Sequence, residues 1–530
     1  MAKFSTIILA AGVGSRMKSN KPKVLHSICG KSMIARITEA ALRVSDDVHI
    51  VLYHQKEVIE AHLREYFGSK LESITLHTQD CQNFPGTGGA LMDSSGKLID
   101  LAHDRLVVLN GDMPLISPES IATIAHTQAP IVVSTITLEN PSGYGRVLVD
   151  SSGQITQIIE EKDCNQAQKA ITLVNAGIYG FDRELLERSL PRLSNDNAQQ
   201  EYYLTDIIAL AKEQWDSALG KHSADLANFG ATADHQSSSA PKFAKNSKSP
   251  TAMPRILEED KQAGREKSCR EQTDLESTFD TATHEPAKDS RIVELESSAP
   301  NRIKIAPFYG NPREFMGVNS KSELAQAESI RLQELRQRAM DQGVIMRLPE
   351  SIYLEEWVEF EGECEIENNV RICGKSIIKH SHIKASSVVE DSVIEHSDIG
   401  PMAHIRPKSH ISHTHIGNFV ETKAAHLEGV KAGHLSYLGD CEIGSGSNVG
   451  AGVITCNYDG KGKHRTIIGQ NVFIGSDTQL IAPVEIESNA IIGAGSTITT
   501  NVKSGELALS RTKQSNIAGF FYRFFAKPKA

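Results

Sequence analysis

Residues suited to phosphate chemistry gather in two widely separated stretches of this 530-residue chain. In the first, the apolar run Ile7–Ala11 is broken by Gly12 and Gly14, and Arg16, Lys21 and Lys23 follow. Glycines let a backbone approach a phosphate closely, and the amides they expose can donate to it. With cations beyond the turn, the arrangement suits a triphosphate. It is neither GxGxxG nor a Walker A loop, since no GK[ST] follows. Further on, "RLVVLNGDMPLI" ends in Gly111-Asp112, which puts a carboxylate at the carboxyl end of a strand, where α/β sheets bind ligands. Beside a triphosphate its expected task is Mg²⁺; a turn or helix-capping Asp is the plain alternative. The second stretch supplies Arg406, Lys408, Lys423, Lys431, His434 and Tyr437, then Asn457, Tyr458, Lys461, Lys463 and Arg465. In a chain of formal net charge -10 this basic cluster is local and suits a small anion. Nucleic acid fits poorly, because the chain is acidic and no stacking aromatics alternate with the cations.

Different elements must position the two groups. The N-terminal half alternates buried strand-like runs with amphipathic segments such as Ser32–Leu42 and Gln55–Phe67, which predicts helices around a mainly parallel sheet. The glycine turn is expected to lead straight into a helix. The C-terminal half has another period. Ile468, Ile474, Leu480, Ile486, Ile492 and Ile498 fall one every six residues, and Ile366, Ile372, Ile378, Ile399, Ile405, Ile411, Ile443 and Val449 carry the pattern earlier. Six fits neither helix nor ordinary strand. It fits a solenoid of triangular coils that stack inward-facing aliphatics. The pattern lapses at roughly 417–438 and 454–466, read as loops leaving the solenoid, where the basic residues collect. Between the halves, 220–302 is rich in Ser, Ala, Lys, Glu, Asp and Pro and keeps no period, so it is expected to lack a packed core and stay disordered. A helix over 321–345 then leads into the solenoid.

Eight cysteines show no CxxC and no dense framework, and the run from Ile7 is too short for a secretory signal. No run reaches the roughly eighteen apolar residues of a membrane span. A cytoplasmic protein without stable membrane insertion is expected. The histidines from His396 to His434 are scattered through period-six turns, which argues against a structural metal.

The motifs carry a resemblance. "LAAGVGSRM" followed by "KPKVLH" resembles the signature loop of nucleotide-sugar pyrophosphorylases, and the C-terminal half resembles left-handed β-helix acyltransferases of the hexapeptide type. Both in this order, with "GTGGA", "GYGRV", "NAGIY", "EYYLTDI", "GNFVETK", "KAGHLSYLGD", "GAGVITCNYDG" and "IGSDTQLIAP", resemble the bacterial bifunctional N-acetylglucosamine-1-phosphate uridyltransferase/glucosamine-1-phosphate acetyltransferases. The stretch 220–302 has no counterpart in the usual family pattern. The resemblance implies a Rossmann-like nucleotidyltransferase domain with a mixed sheet over 1–219 and 303–320, a linker helix over 321–345 and a left-handed parallel β-helix over 346–530. It implies Mg²⁺, UTP and acetyl-CoA, sugar phosphates as substrates, a homotrimer through the β-helix, no nucleic acid, and a product for peptidoglycan and lipopolysaccharide.

Site residues follow from the same match. Leu9, Ala10, Ala11, Gly12 and Gly111 would hold the nucleotide, with Arg16 and Lys23 on its phosphates. Gly86 and Thr87 match uridine-contacting positions, and Gln79 matches the uracil-binding Gln, although two extra residues precede "GTG". Asp112 and Asn319 match the metal pair; Gly145, Glu160 and Asn175 match the sugar set. In the second site His434 matches the general base, a task for which an imidazole titrating near neutrality is suited. Arg406, Lys423, Tyr437, Asn448 and Lys463, with Asn457 and Tyr458, match the sugar-phosphate pocket. Ala451, Ser476, Ala494 and Arg511 match acetyl-CoA contacts. A nucleotidyltransferase for another sugar or base, carrying a structural solenoid, is the alternative.

Overall fold

A computed structural model describes residues 3–197, 199–211 and 303–525. The stretch 220–302, expected to be disordered, lies outside the described residues.

In the N-terminal half the strand Ser5–Ala10 is flanked in parallel by Asp47–Leu52 and Arg105–Asn110, and Ile74–Thr78 extends the sheet beyond Asp47–Leu52. On the other side Leu173–Asp182 runs antiparallel to Arg105–Asn110 and to Ile131–Thr137. Ile305–Tyr309 then adds in parallel to Ile131–Thr137, so the sheet is mixed. The central strands read as unbroken aliphatic runs because both faces are covered. Ile8, Ile50 and Leu109 belong to one core with Ile34 and Ile37, while Ile7, Val51 and Val108 belong to another with Leu91, Ile99 and Leu186. The helices Met33–Leu42 and Lys56–Phe67 occupy the two amphipathic segments.

The helix expected directly after the glycine turn does not form. Ser15–Met17 and Lys23–Leu25 are single 3₁₀ turns, and the first α-helix begins at Met33. Gly14 and Lys18 adopt left-handed conformations, φ 66° and 45°, and Pro22 lacks an N–H, so no helical ladder can run through this segment.

The helix Lys321–Asp341 starts at Ser320 in a full capping box with Glu323 and leads into a parallel β-helix. Its three faces are sheets of ten, nine and eight strands, each strand paired with its equivalent in the next coil. The inward row, Ile366, Ile372 and Ile378 through Ile486, Ile492 and Ile498, is buried. Coiling begins earlier than the aliphatic pattern, at Ile345–Met346. The expected loop at 417–438 is not a loop. Strands His415–Asn418, Glu421–Lys423, His426–Glu428, Lys431–His434 and Tyr437–Gly439 continue the coils in register. Thr422 and Ala432 take inward positions there, so the coil persists where the aliphatic signal lapses. The second lapse does contain an excursion: the chain leaves the coil between Ile454–Cys456 and Thr466–Ile468 and pairs Tyr458 with Lys463.

A half-buried ion cluster ties the first coil to the N-terminal half. Glu356 accepts from Arg36 at 2.8 Å and from Arg331 Nε at 3.0 Å, and its backbone N–H donates to Cys29 O at 3.1 Å. Among the described residues no helix is long and apolar enough to cross a membrane.

Candidate active sites

The turn after Ser5–Ala10 and the end of Arg105–Asn110 open onto a cavity of about 500 Å³ lined by Leu9, Ala10, Ala11, Gly12, Lys23, Gln79, Gly86, Thr87 and Asp112, among others. Lys23 is fixed from behind by the glycine turn, since a Cβ on Gly14 would lie 2.7 Å from the Lys23 Cβ. Its ammonium donates to Asp112 and, at 2.8 Å, to Asn319 Oδ1. Three segments distant in sequence therefore present one cation to two hard oxygens. Asn319 is held by its own N–H, which donates to Glu323 Oε2 at 2.7 Å in the helix cap, and the Val318 N–H donates to Asp112 O at 2.8 Å.

Gln79 is 5% exposed and spends its side-chain N–H groups on Phe84 O and Gly86 O, at 3.0 and 2.9 Å. It therefore shapes the turn that carries Gly86 and Thr87. Gly86 has φ 92°, and a Cβ there would lie 2.7 Å from Tyr202 O. Gly111 closes on the glycine turn through its N–H to Leu9 O at 2.9 Å. Gly145, Glu160 and Asn175 form a neighbouring group. The Asn175 N–H donates to Gly145 O at 2.8 Å, and a Cβ on Gly145 would sit 3.5 Å from Glu160 Oε1. Burial raises the Glu160 pKa, and Asp163 and Asp206 add to the effect. Asn110 bridges the two groups: it lines the cavity and donates to Gly177 O at 3.0 Å. Arg16 is exposed and does not line the cavity.

On the β-helix, Arg406, Lys423, Asp440 and Asn457 lie 17 residues apart; the strand register aligns Arg406 with Lys423 and Asp440 with Asn457, while Lys423 itself aligns with Gly439, next to Asp440. Asn457 donates to Asp440 Oδ2 at 2.5 Å and to the Tyr437 hydroxyl at 3.4 Å, while Lys463 stands 3.9 Å from Asp440. The Lys463 contact, then Arg406, lower the Lys423 pKa, and Asp440 opposes them. Arg406 meanwhile pairs with Glu421 at 2.7 Å. Tyr458 is exposed in the excursion.

The other expected residues stand elsewhere in the same chain. His434 is exposed at the end of Lys431–His434, and Asn448 pairs with Lys431 in the next coil of that face. That face is not the one carrying Lys423 and Tyr437. One coil after His434 a column begins along the corner. The Asp477 N–H donates to Ala451 O, the Gly495 N–H to Ser476 O, and Arg511 NH1 to Ala494 O, each at 2.8 Å. Ala451, Ser476, Ala494 and Arg511 are therefore aligned. Sequence reasoning missed Asn110 and Asp440. Asn110 directly precedes Gly111-Asp112, and Asp440 closes the motif "KAGHLSYLGD".

Residues 6–171 match the MobA-like NTP transferase domain family, and 465–500 match the bacterial transferase hexapeptide (six repeats) family. The chain is similar over nearly its whole length to curated proteins named bifunctional protein GlmU. With that of Wolinella succinogenes it shares 46% identity over 526 residues, covering 99% of this chain and 100% of the relative. With that of Helicobacter hepaticus it shares 46% over 530 residues, covering 98% and 97%. With that of Helicobacter pylori it shares 45% over 525 residues, covering 99% and 100%.

Proposed function

This chain belongs to the GlmU family of bifunctional proteins, and from that premise we infer how its two sites divide the work. It is a bifunctional enzyme of UDP-N-acetylglucosamine synthesis, acting as acetyltransferase and uridyltransferase in the supply of peptidoglycan and lipopolysaccharide precursor. We place the uridyltransferase on 1–219 with 303–320, the linker helix on 321–345 and the acetyltransferase on 346–530, in the cytoplasm.

In the first site the phosphate oxygen of N-acetylglucosamine 1-phosphate attacks the α-phosphorus of UTP, and the bond to the β-phosphate breaks with release of pyrophosphate. The nucleophile is already an anion, so no general base is needed, and catalysis rests on placement and charge. The glycine turn with Gly111 cradles the phosphates. Gly86 and Thr87 face the nucleoside, on a turn braced by Gln79. Gly145, Glu160 and Asn175 hold the sugar, and Lys23, the cation that lines the cavity, draws charge from the phosphoryl oxygens. The donor set fits Mg²⁺: Asp112 and Asn319 already share one cation, the Lys23 ammonium. When bound, Mg²⁺ would neutralise charge on the phosphates.

In the second site the amine of glucosamine 1-phosphate attacks the thioester carbon of acetyl-CoA. His434 takes the amine proton, the C–S bond breaks, and coenzyme A leaves. Arg406, Lys423, Tyr437 and Lys463, with Asn457 and Tyr458, receive the sugar phosphate. The column Ala451, Ser476, Ala494 and Arg511 offers a narrow track for the coenzyme. A homotrimer is our reading of the assembly. Its support is the hexapeptide β-helix itself; His434 and Asn448 lie on one face and the cationic residues on the next, an arrangement that a second chain could complete. The meeting of Lys23, Asp112 and Asn319 carries the reading of the first site. Purified chain given glucosamine 1-phosphate, acetyl-CoA, UTP and Mg²⁺ should form UDP-N-acetylglucosamine, and no product would overturn it.

A further inference from the structure

The segment that follows the last coil carries an exposed cluster of rings. Phe520–Phe524 is a short helix, and Phe520, Phe521, Tyr522, Phe524 and Phe525 are 51–79% exposed. Every residue from 511 to 525 is exposed, so nothing in the described fold covers them. The rings touch one another: Phe521 and Phe525 lie 4.8 Å apart, and Phe520 and Phe524 5.8 Å. Exposed apolar clusters of this kind mark contact surfaces.

Charge and geometry choose the partner. Beyond Arg511, which belongs to the coenzyme track, the sequence has Lys513, Arg523, Lys527 and Lys529 and no acidic residue, in a chain of net charge -10. At about 100° per residue the five rings cover an arc of roughly 200°, and Arg523 occupies the remaining gap with its guanidinium 5.7 Å from the centre of the Phe520 ring at one edge of the arc. That arc is wider than the stripe by which a helix packs on one protein face. A fluid lipid interface can receive the whole arc, with the guanidinium left among the headgroups. We propose that the Phe520–Phe525 cluster, with its flanking cations, binds reversibly to an anionic lipid surface. The rings would settle at the interface and nothing would cross it.

The test is sedimentation of the full-length chain with vesicles. Binding is expected to vesicles of about 30% phosphatidylglycerol in phosphatidylcholine, and to be much weaker on phosphatidylcholine alone. It should weaken as salt rises from about 0.05 to 0.5 M. A Phe521→Ser, Phe525→Ser double variant should bind at least about tenfold more weakly while keeping its uridyl transfer and assembly size. Failure of the unaltered chain to bind the anionic vesicles, or undiminished binding by the variant, would overturn the proposal. A changed assembly size in the variant would also overturn it, by assigning the rings to contacts between copies of this chain.

Discussion

Lys23 and Asn319, 296 positions apart in sequence, are joined by a hydrogen bond of 2.8 Å. Asp112 accepts from the same ammonium. If Asp112 and Asn319 hold a divalent ion as proposed, the ammonium competes with it for the same oxygens, and nucleotide should favour the ion by drawing Lys23 toward its phosphates. Mn²⁺, as a probe, is expected to bind weakly to the free chain and tightly with UTP. Lys23→Met should strengthen binding of the ion without UTP while uridyl transfer falls. Asp112→Asn should lower uridyl transfer by about 10² to 10³ or more. Chelator should stop uridyl transfer and spare acetyl transfer. Equal Mn²⁺ affinity in the two nucleotide-free proteins would refute the competition.

His434→Ala should lower acetyl transfer by about 10² to 10⁴ and leave uridyl transfer near normal. Assaying the half-reactions separately checks this. Loss of both in a folded variant would mean that the two sites are not independent.

If the acetyl site draws on two chains, inactive chains can complement. His434→Ala and Lys423→Ala proteins, each without acetyl transfer, should regain part of it when co-expressed or unfolded and refolded together. No recovery in verified mixed assemblies would place the whole site within one chain.

Burial would raise the Glu356 carboxyl, but Arg331 and Arg36 hold it down, from an ordinary 4.5 to about 2. The folded carboxylate is favoured, so its contribution is complete above about pH 4.5 and is lost as pH falls through about 2. Glu356→Gln leaves the buried Arg36 guanidinium without its carboxylate, while Arg331 keeps Glu334, and should cost about 1–3 kcal/mol near neutrality. The gap in Tm between the two proteins should narrow in acid. A gap independent of pH would show that charge is not its cause.

The Lys463 contact and Arg406 lower the Lys423 pKa, so Lys423 loses its charge earlier than an ordinary lysine as pH rises. Affinity for N-acetylglucosamine 1-phosphate at the β-helix site, measured calorimetrically in an Asp112→Asn background, should therefore decline on the alkaline side. Lys463→Gln should move that decline to higher pH.

Much of this was legible in the residues. The six-residue spacing from Ile468 onward declared the coils because nothing else buries aliphatics at that interval. It failed at 417–438, where Thr422 and Ala432 face inward and a hydrophobic count loses the coil. The helix expected after Gly14 failed because the left-handed Gly14 and Lys18 and the proline at 22 keep the chain in single turns. The Lys23–Asp112–Asn319 triad could not be read from spacing, since its members meet only through the fold. Asn319 came from the family motif "GVN". Asp440 was within reach, because it closes the motif "KAGHLSYLGD" that already carried His434 and Tyr437.

The cap at Ser320 has a consequence for inheritance. Asn319 is pinned by Glu323 at the start of the Lys321–Asp341 helix, and Arg331 on that helix grips Glu356 in the first coil. A gene split before codon 319 would part the Asn319 amide oxygen from Lys23 and Asp112. A split just after it would leave that oxygen on a frayed end. Recombination that swaps one catalytic half for a foreign one must carry the helix with the first half and still match Glu356 in the second. The two activities are thus held in one reading frame by a few hydrogen bonds at a helix start.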